Sequence, residues 1–116
     1  MEGVVDERGV PVIDMFVGGR TWVATLDTGF NGDLELPDAL RPFVNPRFAG
    51  SAESFLAAGV SISEDQFRVS FPFDGLVVSA VATFVMGDGI LIGTRLLLPY
   101  RLTVDFPNSR VWLERE

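Results

Sequence analysis

One carboxylate stands out by its setting. Ala24-Thr25-Leu26 is a strand-like run that ends in Asp27-Thr28-Gly29, so the sequence predicts a strand delivering Asp27 to the mouth of a tight turn. Period-2 alternation puts Trp22, Ala24 and Leu26 on one face and Thr21, Val23, Thr25 and Asp27 on the other. The chain contains no His and no Cys, which excludes disulfides, thiol chemistry, Cys/His metal sites and Ser-His or Cys-His nucleophiles. Carboxylates are then the ordinary acid/base groups left near neutrality. Hydrolysis of a peptide bond by carboxylates takes two of them, one ionised as base toward water and one neutral as acid toward the carbonyl oxygen. Two carboxyl groups about 3 Å apart share one proton, because like charges that close cannot both ionise. Asp27 occurs in such a turn once, so a second copy of the chain must bring the other, in an isologous two-fold arrangement.

The elements that must position Asp27 read as β throughout. A strand from Val10 to Val17 turns at Gly18-Gly19 into the Thr21 to Leu26 strand. After the Asp27 turn, Gly32-Asp33-Leu34-Glu35-Leu36 alternates again, with Asp33 and Glu35 as its solvated side, and Pro37-Asp38-Ala39-Leu40-Arg41 starts a helical turn that Pro42 stops. A hairpin from Ser51 to Phe71 has a tip of small residues, Ala57-Ala58-Gly59, flanked by Ser54, Leu56, Val60 and Ile62 and suited to a mobile cover. Another turns at Pro72-Phe73-Asp74-Gly75 into the run Leu76 to Met86, and Gly87-Asp88-Gly89 breaks the chain before Ile90-Leu91-Ile92-Gly93. The helical run Thr94-Arg95-Leu96-Leu97-Leu98 precedes Pro99, and strands at Arg101 to Asp105 and Arg110 to Glu114 form a last hairpin. A weak internal echo sets Val12 to Pro37 against Phe67 to Pro99, with Leu91-Ile92-Gly93 standing where the first copy has Leu26-Asp27-Thr28-Gly29.

Together, Leu26-Asp27-Thr28-Gly29 and the later Ile90-Leu91-Ile92-Gly93 with its short helix resemble the retropepsin-like aspartic proteases, closest in pattern to their small bacterial relatives, over about Val12 to Leu113. The resemblance implies a single all-β domain with a closed, barrel-like retropepsin fold, a flap hairpin and one short helix near the C-terminus. It implies a homodimeric endopeptidase acting on polypeptide, with Asp27 catalytic and Thr28 and Gly29 supporting the active-site loop. Gly29, Phe30, Asn31, Ala57, Ala58, Gly59, Leu91 and Ile92 would meet the substrate, and Gly93 and Thr94 would buttress the loop. The Thr28 hydroxyl would reach across the dimer, and terminal strands near Met1 to Val5 and Trp112 to Glu116 would weave the two copies together. Retroviral members have a small residue after Asp-Thr-Gly, then an acidic residue paired with an Arg that follows the later Gly. Here Phe30, Asn31 and Thr94 hold those positions, and an Asn31 to Thr94 hydrogen bond is the expected substitute.

Composition narrows the alternatives. A chain of 116 residues, 47% hydrophobic and 22% charged, makes one domain with a small core, and its aromatics Phe16, Trp22, Phe67, Phe71, Phe84 and Trp112 are expected in the core or a dimer interface. The net charge of −7 argues against nucleic acid or an anionic membrane as partner. No cofactor and no metal are expected, since no segment converges enough oxygens for Ca²⁺ or Mg²⁺. The longest uncharged apolar stretch, Gly75 to Gly87, is shorter than the roughly 20 residues of a spanning helix, and the acidic start lacks the pattern of a signal peptide. A soluble, cytoplasmic protein is the expectation. A noncatalytic dimerisation or peptide-binding module with the same fold is the alternative reading, whereas an Asp-x-Gly phosphate loop of the sugar-kinase type needs more chain than is present.

Overall fold

The computed structural model describes residues 1–55 and 57–116, with the backbone alone at 54, 55 and 57; the predicted flanking role of Leu56 lies outside the described residues. Ten strands form one sheet: β1 (Glu2–Val5), β2 (Pro11–Val17), β3 (Arg20–Asp27), β4 (Leu34–Pro37), β5 (Arg47–Phe55), β6 (Ser61–Phe73), β7 (Leu76–Val85), β8 (Ile90–Gly93), β9 (Tyr100–Asp105) and β10 (Arg110–Arg115). One α-helical turn, α1 (Thr94–Leu97), follows β8, and 3₁₀ turns occupy Asp38–Phe43 and Ala57–Gly59. The Gly18-Gly19 turn between β2 and β3 has φ of +63° and +82°, the two left-handed residues that a tight hairpin matching the strand twist requires.

The strand order is β5-β6-β7-β4-β8-β3-β2-β1-β10-β9. Its ends, β5 and β9, do not pair with each other, so the sheet is open and the closed barrel expected from the sequence is not formed. At its middle, β4 and β8 run antiparallel, flanked by parallel pairs β4 with β7 and β8 with β3. The six strands β6-β7-β4 and β8-β3-β2 are therefore two copies of one three-strand unit, related by a pseudo-two-fold axis between β4 and β8. This is the internal echo, in a different alignment from the one the sequence suggested. Asp27 lies opposite Gly93 in the β3–β8 pair and Val85 lies opposite Pro37 in the β7–β4 pair, so Asp27-Thr28-Gly29 corresponds to Val85-Met86-Gly87 and Gly93 corresponds to Pro37. Apolar-apolar-Gly similarity misled because it matched a second strand of one unit to a third strand of the other.

Alternation decides the core. Trp22, Ala24 and Leu26 of β3, Leu34 and Leu36 of β4, Phe71 and Phe73 of β6 and Ile90 and Ile92 of β8 are all buried. Trp22 satisfies its indole N–H on the Val17 carbonyl at 3.0 Å. Phe16 lies on the outer face of β2 and is 69% exposed, outside the protomer's core. Pro42 departs from expectation, because it sits inside the 3₁₀ turn instead of stopping it, and that turn drives Leu40 into the core. Within the protomer, Val4 and Val5 of β1 pair with β2, Glu2 to Val4 pair with Trp112 to Arg110 of β10, and β10 lies between β1 and β9. No helix among the described residues is long and apolar enough to cross a membrane.

Candidate active site

Asp27 is the last residue of β3, and the parallel pairing with β8 fixes where its strand ends. The backbone then folds back, the Phe30 N–H donating to the Asp27 carbonyl at 3.1 Å and the Gly29 N–H donating to Asp27 Oδ1 at 2.9 Å. The carboxylate is half-buried and oriented by its own turn, while Thr28, Gly29 and Asn31 are exposed. A Cβ on Gly29 would approach Asp27 Oδ1 to 3.3 Å, a tight contact at the place where the carboxylate is held.

The far side of the turn is locked to β8 and α1. Gly93 N–H donates to the Asp33 carbonyl at 2.9 Å, Thr94 N–H to the Phe30 carbonyl at 2.8 Å, and Arg95 N–H to the Gly32 carbonyl at 3.2 Å. The Thr94 hydroxyl also reaches the Phe30 carbonyl at 3.4 Å. Thr94 thus buttresses the loop through Phe30, and its hydroxyl goes to that main-chain oxygen in place of the expected Asn31 partner. Three successive amides bonded into one loop hold it without the ion pair of the viral pattern.

Two cavities meet this loop. One, of about 480 Å³, is lined by Thr25, Leu26, Asp27 and Thr28 together with Val10, Pro11, Leu102, Val104 and Phe106. The other, of about 360 Å³, lies between the loop and the flap hairpin, with Phe30, Gly32, Glu35 and Arg95 on one side and Ala52, Glu64 and Gln66 on the other. The loop-side cavity is walled by the flap's strands and not by its tip, where Ala58 and Gly59 are exposed and Ala57 is described by its backbone alone. Leu91 is half-buried, but Ile92 is completely buried in the core, so it supports β8 from beneath and does not face a substrate.

Two acidic residues carry more than the solvated role read from alternation. Asp33 precedes β4, and its Oδ2 accepts the Val81 N–H at 2.9 Å, tying the loop to β7. Glu35 is half-buried, and desolvation, followed by the neighbouring Glu64 and Asp27 charges, raises its pKa above the ordinary glutamate range. Leu102, Val104 and Phe106 were not singled out in the sequence, although their i, i+2, i+4 spacing at the end of the chain signals a shared apolar face. No group of three or more potential ligands that could hold a metal ion occurs among the described residues.

No family model and no curated protein matches the chain. Solved structures do. A retropepsin-like aspartic protease from Rickettsia conorii superposes with a TM-score of 0.68 at 17% identity, covering 99% of this chain and 89% of that one. The simian foamy virus protease gives 0.58 at 18% identity over 75% of this chain and 91% of that one. The EIAV protease in complex with the inhibitor HBY-793 gives 0.58 at 14% identity over 80% and 89%. The chain has the retropepsin-like all-β fold.

Proposed function

We propose that the chain is a homodimeric aspartic endopeptidase, in which Asp27 and the partner's Asp27 activate a water between them. The observation that carries this reading is the asymmetry of the two pseudo-symmetric turns: one holds an oriented carboxylate at Asp27, and its counterpart holds Val85, with Met86 92% exposed. A protomer therefore supplies half of the pair that carboxylate hydrolysis needs, and a two-fold axis supplies the rest.

In the reaction the ionised carboxylate takes a proton from water as the water oxygen bonds to the scissile carbonyl carbon. The neutral carboxyl gives its proton to the carbonyl oxygen. Collapse of the resulting gem-diol breaks the C–N bond: the leaving nitrogen takes a proton from one carboxyl while a diol hydroxyl gives its proton to the other carboxylate, so the pair returns to its singly protonated state. Thr28 would lock the two turns through its hydroxyl, Gly29 would offer its carbonyl to the substrate backbone, and Phe30, Asn31 and Leu91 would shape the walls. Ala57-Ala58-Gly59 would be the flap that excludes water.

Asp27→Asn is the test. It keeps the shape of the side chain and removes the acid/base pair, so peptide hydrolysis should be lost while the dimer persists in sedimentation. Substantial hydrolysis by the purified variant would place the chemistry elsewhere. A wild-type dimer that binds peptides without cleaving them would identify a binding module instead.

A further inference from the structure

β9 is one of the two edges of the sheet, and it is the edge beside Asp27, since Leu102 and Val104 line the same cavity as Asp27 and Thr28. The ladder shows which of its main-chain groups are free. The Glu116 N–H donates to the Pro99 carbonyl at 3.0 Å, which makes these two a hydrogen-bonded pair next to the Tyr100–Arg115 pair. Such pairs recur every second residue in an antiparallel ladder. Arg101, Thr103 and Asp105 therefore turn their N–H and C=O toward β10, and Tyr100, Leu102 and Val104 turn theirs out of the sheet. The neighbouring ladder agrees: Met1 and Leu113 exchange bonds of 2.7 and 2.8 Å, so Leu113 faces β1 and its neighbours Trp112 and Glu114 face β9.

The geometry points to β9 as the seam of the dimer, pairing antiparallel with β9 of a second copy about a two-fold axis at Thr103. This rests on the homodimeric reading above and names the surface that dimer uses. In this register Leu102 faces the partner's Val104 and Val104 faces the partner's Leu102, so the outward groups exchange four hydrogen bonds. Arg101 faces the partner's Asp105 at both ends, a self-complementary pairing of opposite charges. The registers one pair to either side keep the hydrogen-bond parity but set Arg101 or Asp105 against Thr103 and lose that match. Leu102 and Val104 are half-buried and Phe106 is 59% exposed, and all three share the face that lines the Asp27 cavity. A second strand laid along this edge extends that apolar face. The interior positions of β1 and β10 leave β9 as the edge that reaches the site.

Val104→Pro tests the seam. The Val104 N–H points away from β10, so proline removes a donor the protomer does not use, and an edge strand tolerates it there. Two of the four cross-seam bonds disappear, and the dimer dissociation constant in sedimentation should rise roughly 30-fold, as two hydrogen bonds predict. Arg101→Glu, which sets like charges opposite at both ends of the seam, should weaken the dimer as well. Hydrogen exchange on the wild type provides a measurement independent of whether the variants fold: the Leu102 and Val104 amides should slow as protein concentration carries the chain into dimer. A wild-type dimer with fast exchange at both amides overturns the seam and leaves the dimeric protease intact. A wild-type chain that is monomeric at every concentration and still hydrolyses peptides overturns both.

Discussion

A methyl group on Gly93 would sit 2.1 Å from the Gly32 carbonyl oxygen and 2.8 Å from the Phe30 ring. β8 and the Asp27 loop approach so closely that only hydrogen fits between them, and that contact is what lets three amides of β8 and α1 reach the loop. Gly93→Ala should therefore destabilise the fold by about 1–3 kcal/mol, the usual result of forcing atoms into a packed site, read as a lower urea midpoint at unchanged slope. The sequence marks Gly93 as the end of an apolar strand but gives no reason for it, because the Gly32 carbonyl it must clear is brought there by the loop leading into β4, which pairs antiparallel with β8 and is distant in the chain. Glu35 shows the same limit. Alternation places it on the outer side of β4, whereas its burial and its neighbours Glu64 and Asp27 arise from long-range packing. A raised carboxyl pKa contributes stability that is complete below the unfolded value and is lost as pH rises through the folded one. As pH rises from the ordinary glutamate range, about pH 4, through the raised folded value, wild type should thus lose thermal stability relative to Glu35→Gln. Parallel melting profiles for the two proteins across that window would refute the assignment.

At the scale of elements, hairpin chemistry was the most legible part of the chain. Gly18-Gly19 and Asp74-Gly75 both supply left-handed pairs at two-residue turns, and each joins the strands that the alternation predicts. The small-residue tip at Ala57-Ala58-Gly59 likewise lies at the turn between β5 and β6. The proposed cover role of this tip can be tested through Gly59, whose φ of +74° lies where a β-branched residue is strained. Nothing within 4 Å would meet an added Cβ there, so Gly59→Val changes the tip's backbone preference without a packing clash. It should cut kcat/KM for peptides by roughly tenfold or more while shifting the melting temperature little, given that lid motion contributes to turnover and the tip to few core contacts. Equal kinetics for both proteins would assign the cover elsewhere. What alternation could not give was the order of the elements across the sheet: the pseudo-two-fold pairs β3 with β8 and β7 with β4, and such crossovers leave no periodic trace in the sequence.

At the scale of the whole molecule, the proposed function gives a short chain half of a reactive pair. Composition and the Asp27 turn were enough to reach an all-β retropepsin-like fold, and the superpositions agree across nearly the full chain for the Rickettsia protein. The open sheet was not legible, because closure depends on whether β5 and β9 meet at its two ends, and no local residue pattern records that. The central claim is that one active site is built by two chains, and mixing wild type with Asp27→Asn tests it most directly. With equal amounts exchanged to equilibrium at concentrations where both are dimeric, heterodimers carry one carboxylate and are inactive. Activity should then fall to about a quarter of that of an equal total amount of wild type, the fraction of dimers holding two wild-type chains in random pairing. A fall to about one half would mean that each chain acts with its own site and would contradict the shared pair.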